Sequence, residues 1–469
     1  MRRGDIGWGV LAGLGLAALG FLFYSWGLSY PLLNLYAQMT FWLGVPAVFN
    51  LIHSVLGYGE LGKNLAFVGA AGVWLALHPF LAWAFRRARW AGLILGLALY
   101  TLLGGWLVGL IYTALLGLVG WGRGRLARRT VRARIEDPAR RETLETLGVL
   151  AVGALLWSHV QAQAQNAARI VWNKIAGLSP EITPQGKLYY VSKNPAIFDP
   201  NLKGKPYSLE LTGLVAKPLK FSLEELKALP ASDLLNTLTC ISNPVGGDLI
   251  GFAKWTGVPI QALLDKAGVK PEAKWLVWEA ADGYRESLAL AELPPEALIA
   301  YAINTEELEP RHGYPTRLLL PGRYGMKQPK WITRITLSDK EEIGYWAQRG
   351  WSRSAIIRTM SRIDVPGAGA RLKAGEETLI AGVAYAGGRA LERVEVSTDG
   401  GKTWQKAELK PPQGKFAWQL WAFPWKPTAG DYTLQVRAVE VGEKVQDATR
   451  RAPLPDGATG YHTVRVRVG

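Results

Sequence analysis

The stretch TLTCISNPVGGD, residues 237–248, is an apolar run that opens into a polar, glycine-rich turn. A cysteine at the end of a strand, here Cys240, can expose its sulfur to a bound group with backbone N–H groups close by. A soft thiolate in such a setting can bind a metal. The alternative is a buried structural thiol, because an unpaired cysteine behaves as a small apolar residue. The spacing alone leaves both open.

Cys240 is the only cysteine among 469 residues. A single cysteine excludes an internal disulfide framework and any cysteine-rich zinc or iron–sulfur site. The sequence also lacks the Cys-x-x-Cys-His motif of c-type haem attachment. No nucleic-acid-binding signature is present, so we expect no nucleic-acid partner.

The segments on either side of Cys240 alternate between short strands, short helices and long loops. Phe221–Leu229 is predicted to be a helix, with Ser222 as its N-cap and Glu225 completing a capping box. This pattern predicts an α+β domain over residues 175–362. Its predicted strands are Tyr207–Leu214, Trp275–Ala280, Arg317–Leu320 and Trp331–Leu337.

After the Pro/Gly-rich stretch Arg362–Gly369 the helical pattern disappears. Short strands at roughly ten-residue spacing are typical of an immunoglobulin-like sandwich. We therefore predict an all-β sandwich over residues 363–469. Its predicted strands are Glu377–Tyr385, Leu391–Ser397, Lys415–Ala422, Asp431–Glu440 and Tyr461–Val468.

Residues 1–165 are strongly apolar and predict an α-helical transmembrane bundle of four or five spans, because a span needs about 20 mostly apolar residues. In one layout Thr40–Leu56 spans the bilayer and Trp90–Trp121 crosses once. In the other, Thr40–Leu56 lies in the membrane interface and Trp90–Trp121 is a hairpin folded at Gly104-Gly105. The apolar segments are Ile6–Leu28, Pro31–Tyr58, Asn64–Phe85, Trp90–Trp121 and Thr143–Val160.

The distribution of basic residues predicts the orientation of this region. It carries 14 Lys/Arg against 6 Asp/Glu, half of the net charge of +16, and eight of the arginines lie in Gly122–Glu142. Positively charged loops stay in the cytoplasm, so we expect a multi-pass protein of the cell membrane with residues 170–469 on the extracytoplasmic side. Arg128-Arg129 or Arg140-Arg141 is either a twin-arginine export signal or ordinary cytoplasmic charge.

His53, His78 and His159 lie in or near the apolar segments, where two facing histidines could hold a b-type haem. His78 precedes Pro79, His159 ends a segment, and no pairing by spacing is visible. We therefore expect no haem in this chain.

Five ordered motifs make the sequence similar to the sulfite oxidase superfamily of molybdopterin enzymes. Within it, the sequence most resembles membrane-anchored bacterial members that have a C-terminal dimerisation domain. The resemblance covers about residues 185–469. The motifs are Thr239-Cys240-Ile241-Ser242-Asn243, Trp255-Thr256-Gly257-Val258-Pro259, Ala281-Asp282-Gly283-Tyr284, His312-Gly313-Tyr314-Pro315-Thr316-Arg317 and Pro329-Lys330-Trp331.

The resemblance implies a molybdenum–molybdopterin cofactor with Cys240 as the thiolate ligand of the metal. It also implies that a set of residues holds the pterin and its phosphate, and that the sandwich mediates a homodimer. Cationic donors suit a phosphate, and arginine adds forked contacts. The implied cofactor-binding residues are Val191, Ser192, Lys193, Asn194, Asp282, His312, Arg317 and Lys330.

Two residues of the implied active site depart from the family pattern. Trp351 stands where sulfite oxidases have a tyrosine beside the metal, and an indole offers one N–H and no phenolic proton. Lys193 replaces the arginine of the family's Val-Arg-Asn-His segment, so it attracts an oxyanion as a point charge. These departures put sulfite in doubt as the substrate, but not oxygen-atom transfer.

We therefore expect a membrane-anchored molybdenum oxidoreductase that acts on a small sulfite-like oxyanion or S-oxide. Cys240, Lys193 and Trp351 are the predicted catalytic residues, and a separate cytochrome or quinone would exchange the electrons. The alternative hypothesis is a membrane adhesion or assembly protein that binds partners through the sandwich, in which Cys240 and the basic residues are structural.

Overall fold

The computed structural model describes residues 13–18, 32, 34–35, 60–87 and 170–469. The chain divides into two compact units: Met1–Pro31 with Trp74–Lys174, and Leu32–Val73 with Ile175–Gly469. Nearly all of the described residues, including every predicted site residue, belong to the second unit.

The described part of the N-terminal region contains one long helix, α1, Glu60–Arg87, which includes the predicted span Asn64–Phe85. None of the described helices has the length and apolar character needed to cross a bilayer. The predicted α-helical transmembrane bundle is therefore wrong for this part of the chain. An apolar run predicts burial but does not say whether lipid or protein covers it. Within α1, Trp74 is buried and donates its indole N–H to the Gly13 carbonyl at 3.0 Å, whereas Val68 and Phe80 are 62% and 48% exposed.

Most of the other N-terminal predictions lie wholly or largely outside the described residues. The predicted cellular location stays a prediction. The segments and residues concerned are Ile6–Leu28, Pro31–Tyr58, Trp90–Trp121, Gly122–Glu142, Thr143–Val160, His53 and His159.

Residues 175–362 are mostly β-structure, which corrects the balanced α+β expectation: within this range the structure has two short α-helices and two five-stranded sheets. The first sheet has the order β2-β1-β10-β5-β6, in which only β1 and β10 are parallel. The second has the order β3-β4-β7-β8, with β9 paired to β7. The elements are β1 Leu209–Gly213, β2 Leu219–Phe221, α2 Leu223–Lys227, β3 Ser232–Thr239, β4 Ile250–Pro259, α3 Ile260–Ala267, β5 Trp275–Ala280, β6 Arg285–Ala289, β7 Leu298–Ile303, β8 Glu306–Glu307, β9 Arg317–Leu319 and β10 Ile332–Ser338.

Both α-helices bury side chains in one apolar cluster with residues of both sheets, among them Ile335 of β10 and Val258 of β4. The predicted capping box of α2 is confirmed, because the Ser222 hydroxyl accepts the Glu225 N–H at 3.2 Å and the Glu225 carboxylate accepts the Ser222 N–H at 2.7 Å. Helix α3 was not predicted, although its buried residues recur at helical spacing and Gly268 ends it at a φ of 65°. The buried residues of α3 are Ile260, Leu263, Leu264 and Ala267.

The C-terminal region is a two-sheet sandwich. One sheet has the order β11-β13-β17-β16 and the other β12-β20-β18-β14-β15, with β19 paired to β18. Strands β13, β14, β18 and β20 lie where strands were predicted, and β17, Gln419–Trp425, overlaps the predicted strand Lys415–Ala422 only in part. The elements are β11 Met360–Val365, β12 Arg371–Leu372, β13 Thr378–Tyr385, β14 Leu391–Ser397, β15 Gln405–Lys406, β16 Glu408–Leu409, β17 Gln419–Trp425, β18 Gly430–Glu440, β19 Lys444–Val445 and β20 His462–Val468.

The sandwich also supports β3, the strand that leads to Cys240. The Thr237 N–H donates to the Phe416 carbonyl at 2.9 Å, and the Trp418 N–H donates to the Thr237 hydroxyl at 2.8 Å. Phe416 is buried in the same apolar cluster as Leu238. Strand β3 is therefore hydrogen-bonded to β4 on one side and to the sandwich on the other.

We predict that Thr237→Val destabilises the chain by about 1–3 kcal/mol, because the buried Trp418 N–H loses its acceptor without a change in side-chain volume. Denaturant unfolding of the purified chain measures this. Thr212→Val is the matched control, since the Thr212 hydroxyl makes a long 3.4 Å contact with Thr336 in a partly exposed position. Equal unfolding midpoints for the wild type and Thr237→Val would contradict the prediction.

Candidate functional site

A cleft opens at the end of β3 and contains about 1080 Å³ of empty space, part of it continuous with solvent. Small-molecule and cofactor sites typically measure roughly 300–1,000 Å³. The structure brings nine of the ten predicted site residues to its wall, from segments far apart in sequence. They are Val191, Ser192, Lys193, Cys240, Asp282, His312, Arg317, Lys330 and Trp351. The tenth, Asn194, is not part of the wall but accepts a hydrogen bond from the Lys193 ammonium.

Cys240 is the first residue after β3, and its backbone is fixed by two hydrogen bonds. Its N–H donates to the Leu249 carbonyl at 2.9 Å, and its carbonyl accepts the Asn243 N–H at 3.1 Å. The sulfur is half-buried on the cleft wall, 3.0 Å from the Ser242 hydroxyl. The turn that follows is held by Arg362, which donates to the Gly247 carbonyl at 2.8 Å.

Arg317, on β9, is a buried cation. Its guanidinium donates to the His312 carbonyl at 3.1 Å and to the Gln328 carbonyl at 3.3 Å, and it lies 5.0 Å from the ring centroid of Trp255. Burial lowers the pKa of Arg317 to about 10, partly offset by Tyr189, so the side chain stays charged at neutral pH.

His312 ends the 3₁₀ turn Pro310–His312 and is 1% exposed. Burial, reinforced by Arg317, lowers its pKa to about 3, so the imidazole is neutral at neutral pH. The Glu309 carboxylate lies 3.9 Å from its Nε2, too far for a hydrogen bond. Because the ring is neutral, this contact is not an ion pair.

Lys330 joins a hydrogen-bonded chain that sequence reasoning did not foresee. Its ammonium donates to the Ser192 hydroxyl at 2.5 Å and to the Arg311 carbonyl at 3.1 Å. Ser192 in turn donates to Asp199 Oδ2 at 2.6 Å, and Tyr190 donates to the same oxygen. Asp199 lies 3.7 Å from Lys330 and balances part of its charge. Asp199 belongs to no motif in the sequence, so only the fold reveals it.

Lys193 and Asp282 face the same cleft. The Lys193 ammonium donates to the Asn194 side-chain oxygen at 2.9 Å, and Asp282 accepts the Tyr284 N–H at 2.9 Å in the turn that Gly283 completes at a φ of 74°. Burial lowers the pKa of Lys193 and raises that of Asp282, and each group partly offsets the shift of the other.

The indoles of Trp346 and Trp351 line the cleft at either end of the 3₁₀ turn Ala347–Arg349. The backbone N–H of Trp351 donates to the Trp346 carbonyl at 3.1 Å, and the Trp351 side chain is buried. Beside them the Arg349 guanidinium lies 3.6 Å from the Tyr345 ring centroid. Tyr345 was also missed in the sequence, because a lone tyrosine carries no spacing signal.

A buried ion pair lies next to residues of the cleft wall. The Lys327 ammonium donates to Glu286 Oε1 at 2.6 Å and to the Ser287 carbonyl at 2.8 Å, and the two charged side chains are 4% and 1% exposed. Lys327 ends the 3₁₀ turn Gly325–Lys327, whose other two residues line the cleft. The pair therefore fixes this turn against β6.

Comparison with known proteins identifies two domains. A family model described as oxidoreductase molybdopterin binding domain matches residues 197–346, and one described as Mo-co oxidoreductase dimerisation domain matches residues 353–468. The mitochondrial sulfite oxidase of Drosophila melanogaster is 30% identical over 351 residues, 62% of this chain and 60% of that protein. The NADPH nitrate reductase of Phytophthora infestans is 31% identical over 285 residues, 49% of this chain and 31% of that protein.

The crystal structure of the sulfane dehydrogenase SoxCD from Paracoccus pantotrophus matches with a TM-score of 0.53 and 26% identity, over 62% of this chain and 82% of that one. The chain belongs to the sulfite oxidase family of molybdopterin-dependent oxidoreductases. Its cofactor is molybdenum–molybdopterin. The chain spans about 60% of the length of the mitochondrial sulfite oxidases that it matches.

The donor set of the cleft fits this cofactor. Among the predicted cofactor-binding residues, three buried nitrogen atoms have no hydrogen-bond partner within the described part of the chain: His312 Nε2 and Arg317 Nε on the cleft wall, and Asn194 Nδ2 next to it. Leaving such an atom unpaired costs roughly 1–3 kcal/mol, so a ligand rich in acceptor atoms would stabilise the site. The charged residues on the cleft wall are the four cations Lys193, Arg311, Arg317 and Lys330 and the single carboxylate Asp282, which suits an anionic phosphate.

We predict that Lys327→Met destabilises the chain by about 3–5 kcal/mol, because it leaves the buried Glu286 carboxylate without its partner. The double variant Glu286→Leu/Lys327→Met should recover most of this loss, since no buried charge remains. Urea unfolding of the three proteins measures both effects. Lys373→Met is the control, because Lys373 forms only an exposed pair with Glu376 and should change nothing measurable. A double variant as unstable as the single one would contradict the prediction.

Proposed function

We propose that this chain transfers an oxygen atom, coupled to two electrons, to or from a small sulfite-like oxyanion or S-oxide. One observation carries the proposal: the half-buried Cys240 sulfur lies on the same cleft wall as four cations and a set of buried donors. When bound, the molybdenum–pterin group supplies the two-electron chemistry and the oxygen-atom exchange. Membership of the family favours this hypothesis over the adhesion alternative.

Each side chain around the cofactor has a role that follows from its chemistry. Cys240 supplies the thiolate to molybdenum, and Arg317 and Lys330 supply charged donors to the phosphate. The imidazole of His312 is neutral, so its unpaired Nε2 can form a hydrogen bond with the pterin without adding charge. Asp282 accepts N–H groups of the pterin, and the remaining side chains complete the pocket. These are Val191 and Ser192, while Asn194 lies outside the cleft wall and accepts a hydrogen bond from the Lys193 ammonium.

Lys193 supplies positive charge to the substrate oxyanion, with Arg349 close enough to lower the pKa of Lys193. Trp351 lines the cleft but has no phenolic proton to exchange.

The substrate class rests on charge and on the relatives. The similar proteins are named for sulfite, nitrate and sulfane, which favours a small inorganic species and leaves the direction of the reaction open. The substitutions at Lys193 and Trp351 are the reason that we propose the class and not sulfite itself.

The partners form part of the proposal as well. We propose that electrons pass to or from a separate cytochrome or quinone. The dimerisation-domain match over residues 353–468 supports a homodimer formed through the sandwich.

We predict that Cys240→Ser lowers kcat with any active substrate by at least about 100-fold, because replacing groups that merely orient metal ligands already costs about 10- to 100-fold. Circular dichroism should show an unchanged fold, since serine preserves the backbone hydrogen bonds. Ser338→Ala, which removes a hydroxyl from an exposed turn away from the cleft wall, is the control and should retain the activity. A Cys240→Ser protein with wild-type kcat would refute the ligand role.

A further inference from the structure

The Tyr345 ring contacts two cations, the cleft-lining Lys193 and Arg349. The Arg349 guanidinium is 3.6 Å from the ring centroid, and the Lys193 ammonium is 5.2 Å from the same centroid. Both distances are within the range of cation–π attraction. Lys193 lines the cleft, and so does Trp346, whose ring meets Tyr345 edge-on at 5.0 Å.

The backbone that carries the Tyr345 ring is fixed on both sides. The Tyr345 N–H donates to the Arg285 carbonyl at 3.1 Å, and its own carbonyl accepts from Arg349 at 2.8 Å. The preceding residue, Gly344, packs on the buried Glu286 carboxylate so closely that a Cβ there would lie 2.1 Å from Glu286 Oε2. The ion pair of Glu286 with Lys327 therefore also fixes the backbone that carries Tyr345.

Two cations that contact one ring repel each other, and this repulsion lowers the pKa of a titratable partner. Arg349 lowers the pKa of Lys193 in addition to the lowering by burial. The negative face of an aromatic ring offsets part of such repulsion without neutralising either charge, as a carboxylate would. A ring can therefore hold both cations in place and leave their charge available to a third, anionic group.

We propose that Tyr345 is a positioning residue for the substrate oxyanion, because its ring holds Lys193 and Arg349 together beside the cleft. The proposal rests on the function proposed above for the identity of the anion as substrate, but the anion site itself is testable without turnover. Phenolic chemistry is not required, since the contacts use the face of the ring.

The experiment uses the full-length, cofactor-loaded chain and three variants. Tyr345→Phe keeps the ring, Tyr345→Leu removes it, and Trp404→Leu removes a comparable ring that contacts Arg437 at 4.2 Å in the sandwich. Calorimetry measures the binding of inorganic sulfate as a non-reacting oxyanion. Where a substrate is known, KM and kcat are measured separately, and molybdenum content is checked throughout.

Tyr345→Leu should weaken sulfate binding and raise KM by about 3- to 30-fold, the range expected for lost cation–π contacts, with a smaller change in kcat. Tyr345→Phe and Trp404→Leu should stay within about twofold of the wild type.

Three results would overturn the proposal: unchanged sulfate binding by Tyr345→Leu, an equal loss in Tyr345→Phe, or no sulfate binding by the wild type. A wild type that binds sulfate through Tyr345 but oxidises or reduces no substrate would instead count against the proposed function alone.

Discussion

The fixed backbone at Cys240 is the constraint on which the rest of the site depends. Strand β3 is hydrogen-bonded to β4 on one side and to the sandwich at Phe416 on the other. The strand ends one residue before the cysteine, and Leu249 and Asn243 then fix the peptide groups of Cys240 itself. A thiolate ligand needs this rigidity, because a metal site loses function when its ligands are loosely held.

The cleft concentrates positive charge and unpaired donors, which destabilise the folded chain until a ligand binds them. Burial lowers the pKa of both Arg317 and His312, so the protonated form of each side chain is less stable here than in water. The carboxylate of Asp199 offsets part of this charge, because it lies 3.7 Å from Lys330 and accepts the Ser192 hydroxyl to which Lys330 donates. The remaining excess suits an anionic cofactor with an oxyanion substrate beside it. Stability and function are therefore linked at the same side chains.

Local signals in the sequence predicted what depends on neighbouring residues, and they failed where packing decides. The capping box of α2 and the strands of the sandwich follow from short patterns. The motif residues, from Cys240 to Lys330, converge on one cleft because the family resemblance carries long-range information. Asp199 and Tyr345 act only through residues distant in sequence, so no pattern marked them. The transmembrane bundle failed for α1 because a segment rich in apolar residues did not form a helix with the length and apolar character needed to cross a bilayer.

The two departures from the family pattern, Trp351 and Lys193, leave the thiolate role of Cys240 as the central claim. X-ray absorption at the molybdenum edge tests it most directly, because it counts the sulfur ligands of the metal. The spectrum of the purified wild type should show one more sulfur ligand than that of a molybdenum-loaded Cys240→Ser variant. Equal sulfur counts in the two proteins would contradict the account.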